Sequence, residues 1–195
     1  MCKILCITNS QICDFNFLKH IEVLAQSNLM GIVLREKHLS QSEYYELAKL
    51  VLDICNYYNM NCILHNYVDV AIELKHYAIH LPLPVLEREC SKLSSFRVIG
   101  ASTHSLQQAK AAERLGASYI TYGHIFKTDC KIGMSPKGVN SIVDIINNTN
   151  VSVYPLGGIG RKNYKQVLQQ GAEGFAVMSG LMHSDYNEVL NLAKK

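Results

Sequence analysis

The chain has 195 residues, 48% of them hydrophobic, and a formal net charge of +3. That length and apolar content suit one domain with a full core, and the scattered Lys and Arg give no electrostatic footprint for nucleic acid or a membrane surface. Seven cysteines, Cys2, Cys6, Cys13, Cys55, Cys62, Cys90 and Cys130, include no CxxC pair and cannot all pair within one chain, which argues for thiols in a reducing cytoplasm. The opening run from Met1 to Thr8 has too short an apolar stretch for a signal peptide, and no stretch approaches the roughly 20 apolar residues of a membrane span.

In chain order, short β-branched runs alternate with segments of helical period, which is the sequence form of a parallel sheet with crossover helices. The strand candidates are residues 3–9, 31–36, 62–65, 78–81, 97–101, 119–122, 151–156 and 174–178. Between the first two, Phe17, Leu18, Ile21 and Leu24 share one helical face; Tyr45, Ala48, Leu52 and Cys55 share another after the second. The crossovers at 68–75 and 86–93 are short, so an irregular barrel is expected there. Leu106, Ala109 and Ala112 line a further helix, with Ser105 as its N-cap and Gly116 as its terminating glycine. Eight βα units over residues 1–195 predict a single (β/α)8 TIM barrel. An open doubly wound sheet would place a glycine-rich turn after the first strand, where this chain reads Asn9-Ser10-Gln11-Ile12-Cys13.

The residues able to carry chemistry gather after the strands. Gly157-Gly158-Ile159-Gly160 follows the seventh strand and precedes a helix expected near Asn163; successive glycines let backbone amides approach an anion, or serve only a tight turn. The eighth strand ends Val177-Met178-Ser179-Gly180, which would complete such a cradle. At the end of the sixth strand His124 projects toward the barrel mouth, as a proton-transfer group or as a satisfied core imidazole. Arg35, Glu36 and Lys37 end the second strand: Glu36 as a second acid or base, Arg35 and Lys37 as partners for an anion, or all three as a rim salt bridge. Ser102 and Thr103 after the fifth strand offer hydroxyls to an anion or serve as ordinary helix caps, and His65 and His80 end the third and fourth strands without carboxylate or thiolate company at metal-ligand spacing.

Taken together, Leu34-Arg35-Glu36-Lys37, Ile99 to Ser105, Tyr122 to Lys131, Gly157-Gly158-Ile159 and Val177-Met178-Ser179 resemble, in order, the motifs of the thiamine phosphate synthase superfamily. Within it they are most similar to the TenI-like thiazole tautomerases. A synthase of that superfamily typically has Gly-Pro-x-Phe-x-Thr after strand six, whereas this chain has Gly123-His124-Ile125-Phe126-Lys127-Thr128. Synthases also carry Asn-Asp after strand three and an aspartate after strand four for magnesium; here those places read His65-Asn66 and Leu81-Pro82-Leu83-Pro84.

The resemblance implies a thiazole tautomerase that aromatises a carboxythiazole phosphate by proton transfer, with no cofactor and no metal. It implies His124 as the proton shuttle and Glu36 as its assistant. Gly157, Gly158, Met178 and Ser179 would hold the phosphate, with Arg35, Lys37, Ser102, Thr103, Thr128 and Lys131 around the substrate. The partner is the small thiazole phosphate alone, in a cytoplasmic protein that can form a homodimer and binds neither nucleic acid nor membrane. Two alternatives stand beside it: a magnesium-dependent thiamine phosphate synthase, and a non-catalytic sensor of a thiamine-related phosphate.

Overall fold

The computed structural model describes residues 2–193. Eight strands alternate with helices: β1 (Lys3–Ile7), α1 (Phe17–Ala25), β2 (Gly31–Leu34), α2 (Gln41–Tyr57), β3 (Cys62–His65), α3 (Val68–Glu73), β4 (Ala78–Pro82) and α4 (Leu83–Glu89). There follow β5 (Val98–Thr103), α5 (Leu106–Arg114), β6 (Tyr119–Gly123), α6 (Ser141–Asn147), β7 (Ser152–Leu156), α7 (Tyr164–Leu168), β8 (Gly174–Val177), α8 (Ser179–Met182) and α9 (Asn187–Ala193). Each strand pairs in parallel with its sequence neighbours, and β8 returns to β1, closing a (β/α)8 barrel.

Alternation along the strands builds two cores. Leu5, Ile7, Val33, Ile63, Ala78, Tyr119, Tyr154 and Ala176 fill the barrel interior. Their immediate neighbours, such as Ile4, Cys6, Ile32, Leu34, Leu64, Ile79 and Ile120, face outward against the helices. A strand presents side chains to opposite faces at period two, so a short β-branched strand buried on both sides supplies both layers.

The helix termini follow the local chemistry. The Ser105 hydroxyl accepts from the Gln108 amide at the start of α5, and Gly116, at φ 85°, ends that helix in the left-handed region. At α2 the Ser40 and Glu43 side chains form a reciprocal capping box.

The two crossovers expected to be irregular are both helical. α4 begins at Leu83, ahead of the expected segment, with Pro84 in its first turn, where a missing N–H leaves no bond unmade. It runs on into a 3-10 segment, Cys90–Ser95. The strand register continues through this region, with His65 opposite His80 and Pro82 opposite Ser102. All seven cysteines are free thiols, and no described helix is long and apolar enough to cross a membrane.

Candidate active site

A cavity of about 540 Å³ opens at the C-terminal ends of the strands. The inward parity of the barrel continues into it. Val33 is followed two residues on by Arg35 and then Lys37, Ile63 by His65, Ala78 by His80, Gly100 by Ser102, and Ala176 by Met178; all five of those end residues and Lys37 line the cavity. His124, Thr128 and Lys131 enter from the loop after β6, Gly157 and Gly158 from the loop after β7, and Ser179 from the start of α8. Thr103 also lines it, although its hydroxyl donates to the Thr121 carbonyl at 3.0 Å.

Glu36 corrects the sequence expectation. It falls on the opposite parity to Arg35 and Lys37 and is absent from the cavity wall. Its buried carboxylate accepts from the Thr8 hydroxyl at 2.6 Å, the Ser10 amide at 2.8 Å and the Ser10 hydroxyl at 2.6 Å. Those bonds tie the turn after β1 to the end of β2. A carboxylate so engaged serves as a structural acceptor outside the cavity wall.

His124 is nearly buried, and its Nε2 donates to the Met134 carbonyl at 3.3 Å. A carbonyl can only accept, so in the neutral ring this contact selects the tautomer with its proton on Nε2 and the lone pair on Nδ1. Gly157, at φ 102°, lies directly beneath: a Cβ there would overlap His124 Cβ. Gly158, at φ 66°, is pressed against the Lys127 carbonyl and Phe126. The Ile125 and Phe126 amides donate to the Leu156 and Gly157 carbonyls, so the glycines first of all seat the loop that carries His124. Asn163 braces the same turn, donating from Nδ2 to the Gly158 carbonyl and accepting from the Gly160 amide.

The wall is cationic. Burial lowers the Lys37 ammonium from its ordinary value, and the neighbouring Arg35 and Lys131 charges lower it further. Burial likewise lowers Arg35, against the opposing influence of Glu36. His65 is held well below the usual imidazole range by burial, by His80 and by Arg35 and Lys37. Arg35 and Lys131 both act on Lys37, and the wall they share has no carboxylate to offset them, a charge pattern complementary to an anion.

Two residues, one on the cavity wall and one in the barrel interior beneath it, escaped the sequence reading. His104, passed over in favour of its hydroxyl neighbours, lines the cavity with Nδ1 on the Gly123 carbonyl at 2.8 Å. Tyr119, read only as a strand residue, stands beneath His80 and bonds it. Extending the strand parity of Thr121 would have marked Tyr119 as inward-facing, and carrying that of Gly100 and Ser102 one step past β5 would have marked His104 in the same way.

Residues 4–181 match the TMP-TENI family, described as thiamine monophosphate synthase. The chain belongs to that family. The putative thiamine-phosphate synthase 2 of Aquifex aeolicus is 32% identical over 91% of this chain and 96% of its own length. The thiamine-phosphate synthase of Clostridium acetobutylicum is 29% identical over 84% of this chain and 79% of its own. A thiamine phosphate pyrophosphorylase from Pyrococcus furiosus superposes with a TM-score of 0.82 at 24% identity, covering 98% of this chain and 93% of that one, and shares the fold. The first two carry the synthase name and the third a pyrophosphorylase name; none of the three is named a tautomerase.

Membership in this family raises the question of a divalent metal. Magnesium takes oxygen ligands and is usually held through carboxylates. The cavity wall carries no Asp or Glu, and no group of three His, Cys, Asp or Glu among the described residues could hold a metal ion. Imidazoles and cations stand where carboxylates would be needed, so the wall does not fit magnesium.

Proposed function

We propose that the protein aromatises a carboxythiazole phosphate by moving a proton from a ring carbon to the exocyclic double-bonded carbon of the phosphate-bearing side chain, which becomes a methylene. The single observation that carries this is the composition of the wall: a cationic cavity with imidazoles and no carboxylate. The reaction breaks one C–H bond and forms another, so it leaves the molecular formula unchanged and calls for an acid–base group rather than a metal. His124, through the Nδ1 lone pair, takes the ring proton and returns one to the exocyclic carbon. Arg35, Lys37 and Lys131 hold the carboxylate and phosphate, and Gly157, Gly158, Met178 and Ser179 close around the phosphate. Ser102, Thr103 and Thr128 border the ring.

The names of the relatives favour a second reading, coupling of a pyrimidine pyrophosphate to the thiazole phosphate with magnesium. The test runs both reactions on the native protein. Turnover of the non-aromatic tautomer in chelator, with no coupling above background when magnesium is supplied, supports proton transfer. Magnesium-dependent coupling without tautomer turnover overturns it. Binding of the thiazole phosphate with neither reaction would make the protein a sensor.

A further inference from the structure

Three neighbouring strands bring His80, Gly100 and Tyr119 into one layer: His80 pairs with Gly100 in the register of β4 and β5, and Gly100 with Tyr119 in that of β5 and β6. A Cβ at position 100 would overlap the Tyr119 ring end and its hydroxyl, and would crowd His80 Nδ1. The glycine therefore opens the gap through which the phenol crosses β5 to reach the imidazole. The Tyr119 hydroxyl lies 2.9 Å from His80 Nδ1, and His80 Nε2 lies 2.8 Å from the Ser102 hydroxyl at the cavity wall.

The direction of this chain of bonds follows from Tyr119. It is buried, and among the described residues its hydroxyl has His80 as its one hydrogen-bond partner. If Nδ1 donated to the phenol oxygen, the phenol proton would be left buried and unpaired, which is the costly arrangement. The phenol must donate, so Nδ1 accepts and the ring proton sits on Nε2. Nε2 then donates to the Ser102 oxygen, and the Ser102 proton is released for another acceptor. Burial holds the His80 imidazole neutral, with its pKa pushed down to about 3, so the ring keeps a single proton at ordinary pH.

We propose that Tyr119 and His80 are positioning residues that fix the Ser102 hydroxyl as a donor into the cavity, selecting an anionic oxygen of the ligand. A hydroxyl without such a relay can turn to accept as readily as to donate. With it, a carboxylate or phosphate oxygen is favoured at this point, and a ligand donor meets a repelling one. The choice of ligand rests on the proposed thiazole phosphate chemistry; the polarity of the relay does not.

The first test is ring 15N–1H correlation NMR on the ligand-free protein, which reads which His80 nitrogen carries the proton. Nε2 is expected, unchanged between pH 8 and pH 5. A proton on Nδ1 overturns the relay whatever reaction the protein performs. The second is a double-mutant cycle read by calorimetry in chelator, with the aromatic carboxythiazole phosphate as probe. His80→Asn keeps a polar group opposite Tyr119 and removes the Nε2 donor; Ser102→Ala removes the hydroxyl. Each is expected to weaken binding about tenfold or more, as for a hydrogen bond to a charged group, while the double variant binds about as weakly as Ser102→Ala alone. Fully additive losses, native affinity in His80→Asn, or no binding by the native protein overturn the ligand-facing role. Repeating the cycle with a thiazole phosphate lacking the carboxylate assigns the oxygen: a persistent loss identifies phosphate, and a vanished loss identifies carboxylate.

Discussion

Glu36 and Arg35 are adjacent in sequence and do different work. Arg35 continues the inward parity of Val33 and lines the cavity, while Glu36 turns outward into a nest of Thr8 and Ser10 donors. Removing that acceptor leaves buried donors unpaired. Glu36→Ala is therefore expected to lower stability by about 2–4 kcal/mol in urea unfolding. Any residual folded fraction should keep its affinity for the thiazole phosphate; a stable variant that has lost only turnover would restore Glu36 as a catalytic group. The position was open to misreading because the sequence does not mark where β2 ends. The period of two, carried past Leu34 from Val33, separates the two residues correctly.

At the scale of elements, the strands were the legible part. Short β-branched runs at regular spacing placed all eight within a few residues, and Ser105 and Gly116 marked both ends of α5. The crossovers were less legible. α3 spans Val68–Glu73, too short for a repeating apolar face to stand out, and the prolines hid the start of α4 although Pro84 belongs in a first turn. Gly157 shows a different limit. Its spacing suggests a phosphate turn, but its left-handed φ and its position under His124 arise from tertiary packing that no local pattern reveals. Gly157→Ala is expected to cost about 1–3 kcal/mol from backbone strain and to displace His124, lowering turnover more than affinity. By contrast, Ser40→Ala breaks only the capping box of α2. A loss of about 1 kcal/mol in thermal or urea unfolding is expected, with turnover at the native rate.

For the whole molecule, the cavity places neutral imidazoles inside a closed barrel, and this links stability to pH. His80 is held at about 3 and His65 well below its ordinary 6.5, both chiefly by burial. Between those values and 6.5 the unfolded chain binds protons that the folded protein refuses. The stability from these two groups is thus fully present above about pH 6.5 and falls as pH drops below it, by about 1.4 kcal/mol per pH unit for each histidine. Urea midpoints between pH 7.5 and pH 5 are expected to fall in the native protein and to fall less steeply in His80→Asn. Equal slopes would mean that His80 titrates normally. The same closure that keeps these rings neutral leaves the cation cluster of Arg35, Lys37 and Lys131 facing a cavity without carboxylates, and this links the fold to the proposed chemistry.

The most direct measurement of that chemistry is the rate at which the non-aromatic carboxythiazole phosphate is aromatised in chelator, by the native protein and by His124→Ala. Native turnover with a loss of about 100-fold or more in the variant, at similar affinity for the product, is the expected result for a lost acid–base group. Native turnover that survives His124→Ala, or no turnover above the uncatalysed rate, would contradict it.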